Sequence, residues 1–148
     1  MVERRRPPHY PTISERNART LEAVVYALRE NGLSAAAVLE RLAEAGVKDG
    51  CLTSYVYCKG DKTRYTALHA SCLEGHSECA RLLCEHGAVI DQVTSNGTTP
   101  LYAACMYGHV DCALLLCGLG ATIDKADCNR CTPLYAAAQR AAQTARGY

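Results

Sequence analysis

An all-α solenoid of stacked helix-turn-helix units with projecting loops is the fold that three features of the sequence predict. The first is a period of 33 residues, at which Thr66-Ala67-Leu68-His69, Thr99-Pro100-Leu101-Tyr102 and Thr132-Pro133-Leu134-Tyr135 follow one another. The second is that the same shift carries Gly75-His76 onto Gly108-His109, Leu82-Leu83 onto Leu115-Leu116, Gly87-Ala88 onto Gly120-Ala121, and Ile90-Asp91 onto Ile123-Asp124. The third is the spacing of helix starts and stops, which leaves room for two short helices in each period.

Along the chain, residues 1–14 read as a solvated, disordered basic tail, because Pro7, Pro8 and Pro11 prevent a regular helix around Arg4-Arg5-Arg6. Contact with an acidic surface or a nuclear address is the alternative for that run. Residues 15–60 read as a helical N-terminal cap followed by an insert. Glu15 to Glu30 carries Leu21, Val24, Val25 and Leu28 on one helical face, Asn31-Gly32 breaks it, and Leu33 to Glu44 resumes it. The second segment ends in Leu39-Glu40-Arg41-Leu42-Ala43-Glu44-Ala45-Gly46-Val47, which looks like Arg81 to Val89. A degenerate capping repeat fits, since a terminal solenoid unit must show water a polar face; an unrelated helical hairpin is the other reading. Val47 to Gly60, with Tyr55 and Tyr57, is longer than an ordinary repeat loop and is expected to extend the first hairpin.

Residues 61–93 and 94–126 are the two complete repeats. Thr99 and Thr132 stand where an N-cap satisfies free amides, and Pro100 and Pro133 suit the first helical turn, where no intrahelical acceptor exists for an N–H. Gly75 and Gly108 stop the first helix with a residue that tolerates a left-handed conformation. Second helices are expected from Ser77 to Glu85 and from Val110 to Cys117, closed by Gly87 and Gly120. Residues 88–97 and 121–130 then project as hairpin-like loops, with Asn96-Gly97 as a turn pair. The third unit, 127–148, reads as incomplete: Ala141-Ala142 stand where Gly and His would recur, so one Ala-rich helix from Pro133 to about Ala145 is expected.

With these Thr-Pro-Leu-His-like openings, the sequence from Asp61 to about Arg140 resembles the ankyrin-repeat family. The resemblance implies a protein-protein interaction module, an adaptor or scaffold whose partner lies on the concave face made by loop tips and first helices. Carried over position by position, that face comprises Lys62, Thr63, Tyr65, Leu73 and Glu74 from the first repeat. The second contributes Ser95, Asn96, Thr98, Met106 and Tyr107, and the third Cys128, Asn129, Cys131, Gln139 and Arg140. Tyr65, Leu73, Met106 and Tyr107 are the expected anchors, because large apolar or aromatic groups dominate binding energy. His69, His76 and His109 are framework positions, where a neutral imidazole bridges backbone groups.

A formal charge of +1 gives no field that would gather nucleic acid or an anionic membrane. No apolar run is long enough for a membrane span or a secretory signal, so a soluble cytoplasmic or nuclear monomer is expected. The ten cysteines are then reduced thiols. Six of them, Cys72, Cys79, Cys84, Cys105, Cys112 and Cys117, obey the repeat and are expected to fill gaps between helices. Cys128 and Cys131 have the spacing of half a zinc site or a dithiol centre, but Cys51 and Cys58, the remaining candidates, belong to a distant layer. No metal or other cofactor is expected within one chain, although an oligomer joined through Cys128 and Cys131 remains an alternative, as does an unstable truncated regulatory fragment. No motif pairs a nucleophile with a base and no glycine-rich phosphate loop occurs, so the chain is not expected to be an enzyme.

Overall fold

The computed structural model describes residues 64–147, the strand residues Val56 and Tyr57, and two isolated helical positions, Ala37 and Glu40. The tail, most of the upstream helical segments, Lys62, Thr63, Cys51 and Cys58 lie outside the described residues. Strand β1 (Val56–Tyr57) pairs antiparallel with β2 (Arg64–Tyr65), Val56 opposite Tyr65, so residues before the first repeat do extend its hairpin.

Five helices follow: α1 (Ala67–Glu74), α2 (Ser77–Glu85), α3 (Pro100–Tyr107), α4 (Val110–Gly118) and α5 (Pro133–Ala145). Helices α1, α3 and α5 start identically. The Thr66, Thr99 and Thr132 side chains each accept the backbone N–H three residues on, at 3.3, 3.1 and 3.3 Å, and Pro occupies the first turn of α3 and α5. Gly75 and Gly108 end α1 and α3 at φ 78° and 75°, which turns the chain back into α2 and α4. The third unit has no such glycine, and α5 runs on for 13 residues.

Helices α1, α3 and α5 form one row and α2 and α4 the other. Between the rows lie Leu68, Leu83, Leu101 and Leu116, with Ala70, Ala104, Cys72 and Cys112 filling the narrow gaps. The packing role expected for six cysteines holds for Cys72, Cys79 and Cys112, which are buried, and in part for Cys84 and Cys105. Cys117 is exposed. It sits on the face of α4 that corresponds to the face of α2 covered by α4, and no described helix covers it.

Hydrogen bonds between repeats fix their register. The His69 Nε2–H donates to the Thr98 carbonyl at 3.0 Å, across 29 residues of sequence, while Nδ1 lies 2.7 Å from Thr66 Oγ1 and 3.3 Å from its backbone N–H. Because a carbonyl can only accept, His69 is the neutral Nε2–H tautomer and Nδ1 is the acceptor. His109 Nε2–H donates to the Leu73 carbonyl at 2.9 Å, near the end of α1 where helix carbonyls lack partners. At the outer edge the Asp91 carboxylate accepts from the Thr122 N–H and hydroxyl, the latter at 2.6 Å, and Lys125 donates to the Asp91 carbonyl.

Two expectations follow for stability. A Cβ on Gly75 would stand 2.5 Å from His109 Nδ1, whereas one on Gly87, also at positive φ, would meet nothing within 4 Å. Gly87→Ala should therefore cost about 1 kcal/mol from its backbone alone, and Gly75→Ala at least twice as much, measured by urea denaturation. Equal losses would mean that the His109 contact is unimportant.

Burial depresses the His69 pKa to about 4, outweighing the Thr98 and Gln92 carbonyls that favour the charged ring. The unfolded chain holds this proton more tightly, with an ordinary histidine value near 6.5. Stability from neutral His69 is thus complete above about pH 6.5 and drains away as pH falls toward 4. Between pH 7 and pH 5 the protein should lose about 2 kcal/mol through this group. The urea midpoint of His69→Gln should lack that part of the pH slope, and an unchanged slope would contradict the burial of a neutral ring.

Candidate partner-binding groove

The stack leaves a groove of about 420 Å³ between the loop tips and the first helices. Its floor is made by His69 on α1 and by Tyr102 and Ala103 on α3, all buried. Tyr65 stands at one end, half-buried, its ring centroid 6.4 Å from that of His69. Leu73, Met106 and Tyr107 form the helix-side rim, and Met106 and Tyr107 are 46% and 47% exposed. Two side chains of that size left half in water are covered at little cost by a partner.

The opposite rim is built from the loops. Thr94 Oγ1 accepts the N–H groups of Asn96 and Thr98 at 3.3 and 3.2 Å, folding the second loop back on itself around Gly97 at φ 76°. One period later Asp127 does the same work: its carboxylate accepts from the Asn129 and Cys131 N–H groups at 2.9 and 2.8 Å. The two loops are joined by the Cys128 N–H, which donates to the Asn96 carbonyl at 3.0 Å. Arg130 takes the place of Gly97 and adopts φ 62°, a left-handed conformation that costs a residue with a Cβ roughly 1 kcal/mol. That strain holds a guanidinium on the third loop.

Tyr102 links floor to rim. Burial, followed by the negative charge of nearby Asp127, pushes the pKa of its phenol up. The phenol therefore stays neutral and the groove carries one structured carboxylate at its loop edge.

Of the residues carried over from the repeat pattern, Tyr65, Leu73, Asn96, Thr98, Met106, Tyr107, Cys128 and Asn129 line this one groove. Ser95 and Glu74 are exposed beside it, on the loop and at the end of α1. Gln139 is exposed on α5, its amide donating to the Tyr135 hydroxyl at 3.1 Å. Arg140 lies elsewhere: it lines a separate hollow between α4 and α5, close over Gly108. Asp127 and Tyr102 are groove residues that the repeat pattern did not single out. An Asp two residues before an Asn within a turn is a local signal for the first, because carboxylates cap such turns. Among the described residues no group of three His, Cys, Asp or Glu side chains converges on Cys128 and Cys131 or on any other point.

None of the described helices is long and apolar enough to cross a membrane. The neighbouring Cys112 thiol, and then burial, hold the Cys72 thiol well up, and burial followed by the Glu85 charge pushes Cys84 up to about 11. A thiol held protonated in this way is a poor nucleophile.

Two comparisons bear on this architecture. A 43-residue stretch, 29% of the chain, is 54% identical to part of the potassium channel AKT3 of Oryza sativa subsp. japonica, and that match covers 4% of the channel's length. The family profile described as ankyrin repeats in three copies matches residues 14–127 and again 90–146, nearly the whole sequence and well upstream of the first complete repeat. Period, capped helices, glycine stops and family match agree: this chain belongs to the ankyrin-repeat family.

Proposed function

We propose that the chain is a non-enzymatic adaptor that holds a segment of a partner protein in the groove between its loop tips and first helices. Ankyrin repeats generally mediate protein-protein interaction. The observation that supports this site is the combination of Met106 and Tyr107, each about half exposed, with a floor of buried His69 and Tyr102. Rigid aromatic and thioether side chains over a pre-formed floor need little ordering on binding. Tyr65, Leu73, Met106 and Tyr107 supply apolar contact, while Asn96, Thr98 and Asn129 offer polar groups that fix the orientation of a bound backbone. Glu74, Ser95 and Gln139 extend the rim. The eight described cysteines are free thiols, which suits a reducing compartment, the cytosol or the nucleus.

The test begins with crosslinking capture on the reduced protein and on Tyr65→Ala/Tyr107→Ala, followed by direct titration of a partner lost from the double variant. Tyr107→Ala alone should weaken that partner by roughly 1 to 3 kcal/mol and leave the melting temperature nearly unchanged, since its side chain lies outside the core. Unaltered affinity together with a large drop in melting temperature would reverse the assignment, making Tyr107 a structural residue.

A further inference from the structure

The two loops that form the groove's outer rim are capped by the same device with different chemistry. In the second loop the cap is Thr94, a neutral hydroxyl that accepts the N–H groups of Asn96 and Thr98. In the third it is Asp127, 33 residues on, a carboxylate that accepts those of Asn129 and Cys131. Closing such a turn therefore does not require a charge. Asp127 also lines the groove, whereas Thr94 is buried beneath it.

That charge has no partner in the fold. Both N–H groups end on Oδ1, at 2.9 and 2.8 Å, and Oδ2 takes neither. The ion pairs of the described residues all belong to Arg81, so no described Lys or Arg neutralises Asp127, Arg130 of its own turn included. His69 is the other lining residue that could carry a charge near neutrality, and burial keeps it neutral. Glu74, exposed beside the groove at the end of α1, adds a second negative charge on the helix side. Asp127 is half-buried and fixed by its turn. It has already lost the side-chain freedom that makes pairing at a loose surface acid nearly worthless.

The same groove presents Tyr65, Tyr102 and Tyr107. Aromatic faces attract a cation, and a guanidinium is planar and weakly hydrated, so it stacks on a ring while its N–H fork meets a carboxylate. The ammonium of lysine is more strongly hydrated and has no flat face to stack. An acidic segment would set its charge against both Asp127 and Glu74. We propose that the groove takes a basic segment of the partner protein and seats one arginine of it, with the guanidinium on Asp127 and the stem along the groove tyrosines. This inference rests on the groove being the partner site and names the chemistry of what it holds.

The probe is a phage-displayed library of random peptides of about 12 residues, selected on the immobilised, reduced protein. Counter-selection on Tyr65→Ala/Tyr107→Ala leaves only clones that need the groove. Arginine should rise about threefold above its frequency in the unselected library, and selection on Asp127→Asn should show no such rise. Asn keeps a side-chain oxygen for the two N–H groups of the turn, so the melting temperature should hold. Asp127→Thr, which installs the cap of the second loop, should behave alike. The strongest clone is then made as a fluorescein-labelled peptide, with arginine or with citrulline, which has the same shape and no charge. By fluorescence anisotropy citrulline should cost about tenfold on the parent protein and less than about twofold on Asp127→Asn. Groove-dependent clones without arginine, or an equal citrulline loss on both proteins, would overturn the proposal while leaving the groove as a binding site. A library that yields no clone dependent on Tyr65 and Tyr107 would overturn the groove reading and the proposal with it.

Discussion

The stack depends on hydrogen bonds that no repeat can make within itself. His69 belongs to the first helix of one repeat, yet its Nε2–H is satisfied by the Thr98 carbonyl at the start of the next, while Nδ1 is held by the Thr that caps its own helix. One ring thereby ties a helix start to the following loop. Burying a ring with two polar atoms is tolerable only when both are paired. The same arrangement forces the charge state, because protonation would turn Nδ1, which accepts from the Thr66 N–H, into a donor. His109 closes the other end of the layer on Leu73, with its ring filling the space over Gly75.

This register sets the geometry of the groove. Thr98 accepts from His69 and also closes the second loop, and Cys128 joins the third loop to Asn96. The two loop tips are thus held at a fixed distance from α1 and α3, and the tyrosines between them face a rim that is already ordered. Tyr102 on α3 and Asp127 on the third loop line the same groove. Affinity in such a groove rests on anchors and pre-organisation more than on area.

Local chemistry was legible in the sequence. The threonine caps, the prolines at N1, the glycine stops and the run of α5 to Ala145 all depend on residues within one turn of the feature they determine. So was most of the groove lining, because Tyr65, Leu73, Met106 and Tyr107 stand at positions that the repeat sets, although the residue types there differ from repeat to repeat. What the period could not show is how a repeat behaves when its neighbour differs. Cys117 and Leu134 occupy positions that are covered elsewhere in the stack, yet Cys117 is exposed and Leu134 is 76% exposed, against 1% for Leu68 and 3% for Leu101. Arg140 has no counterpart at its position in the earlier repeats, where Tyr107 stands one period before, and in the absence of a glycine turn it lies over Gly108. Burial is a property of the stack, and pattern matching assigns it to the residue.

The central claim is that His69 is a buried neutral bridge between repeats. Long-range proton-nitrogen correlation NMR on the histidine side chains at pH 7 reads its state directly. The account predicts the Nε2–H tautomer for His69, with a slowly exchanging proton coupled to a hydrogen-bonded Nε2 and an unprotonated Nδ1. An averaged signal titrating near pH 6.5, or an Nδ1–H tautomer, would contradict it and would unfasten the loop geometry on which the groove depends.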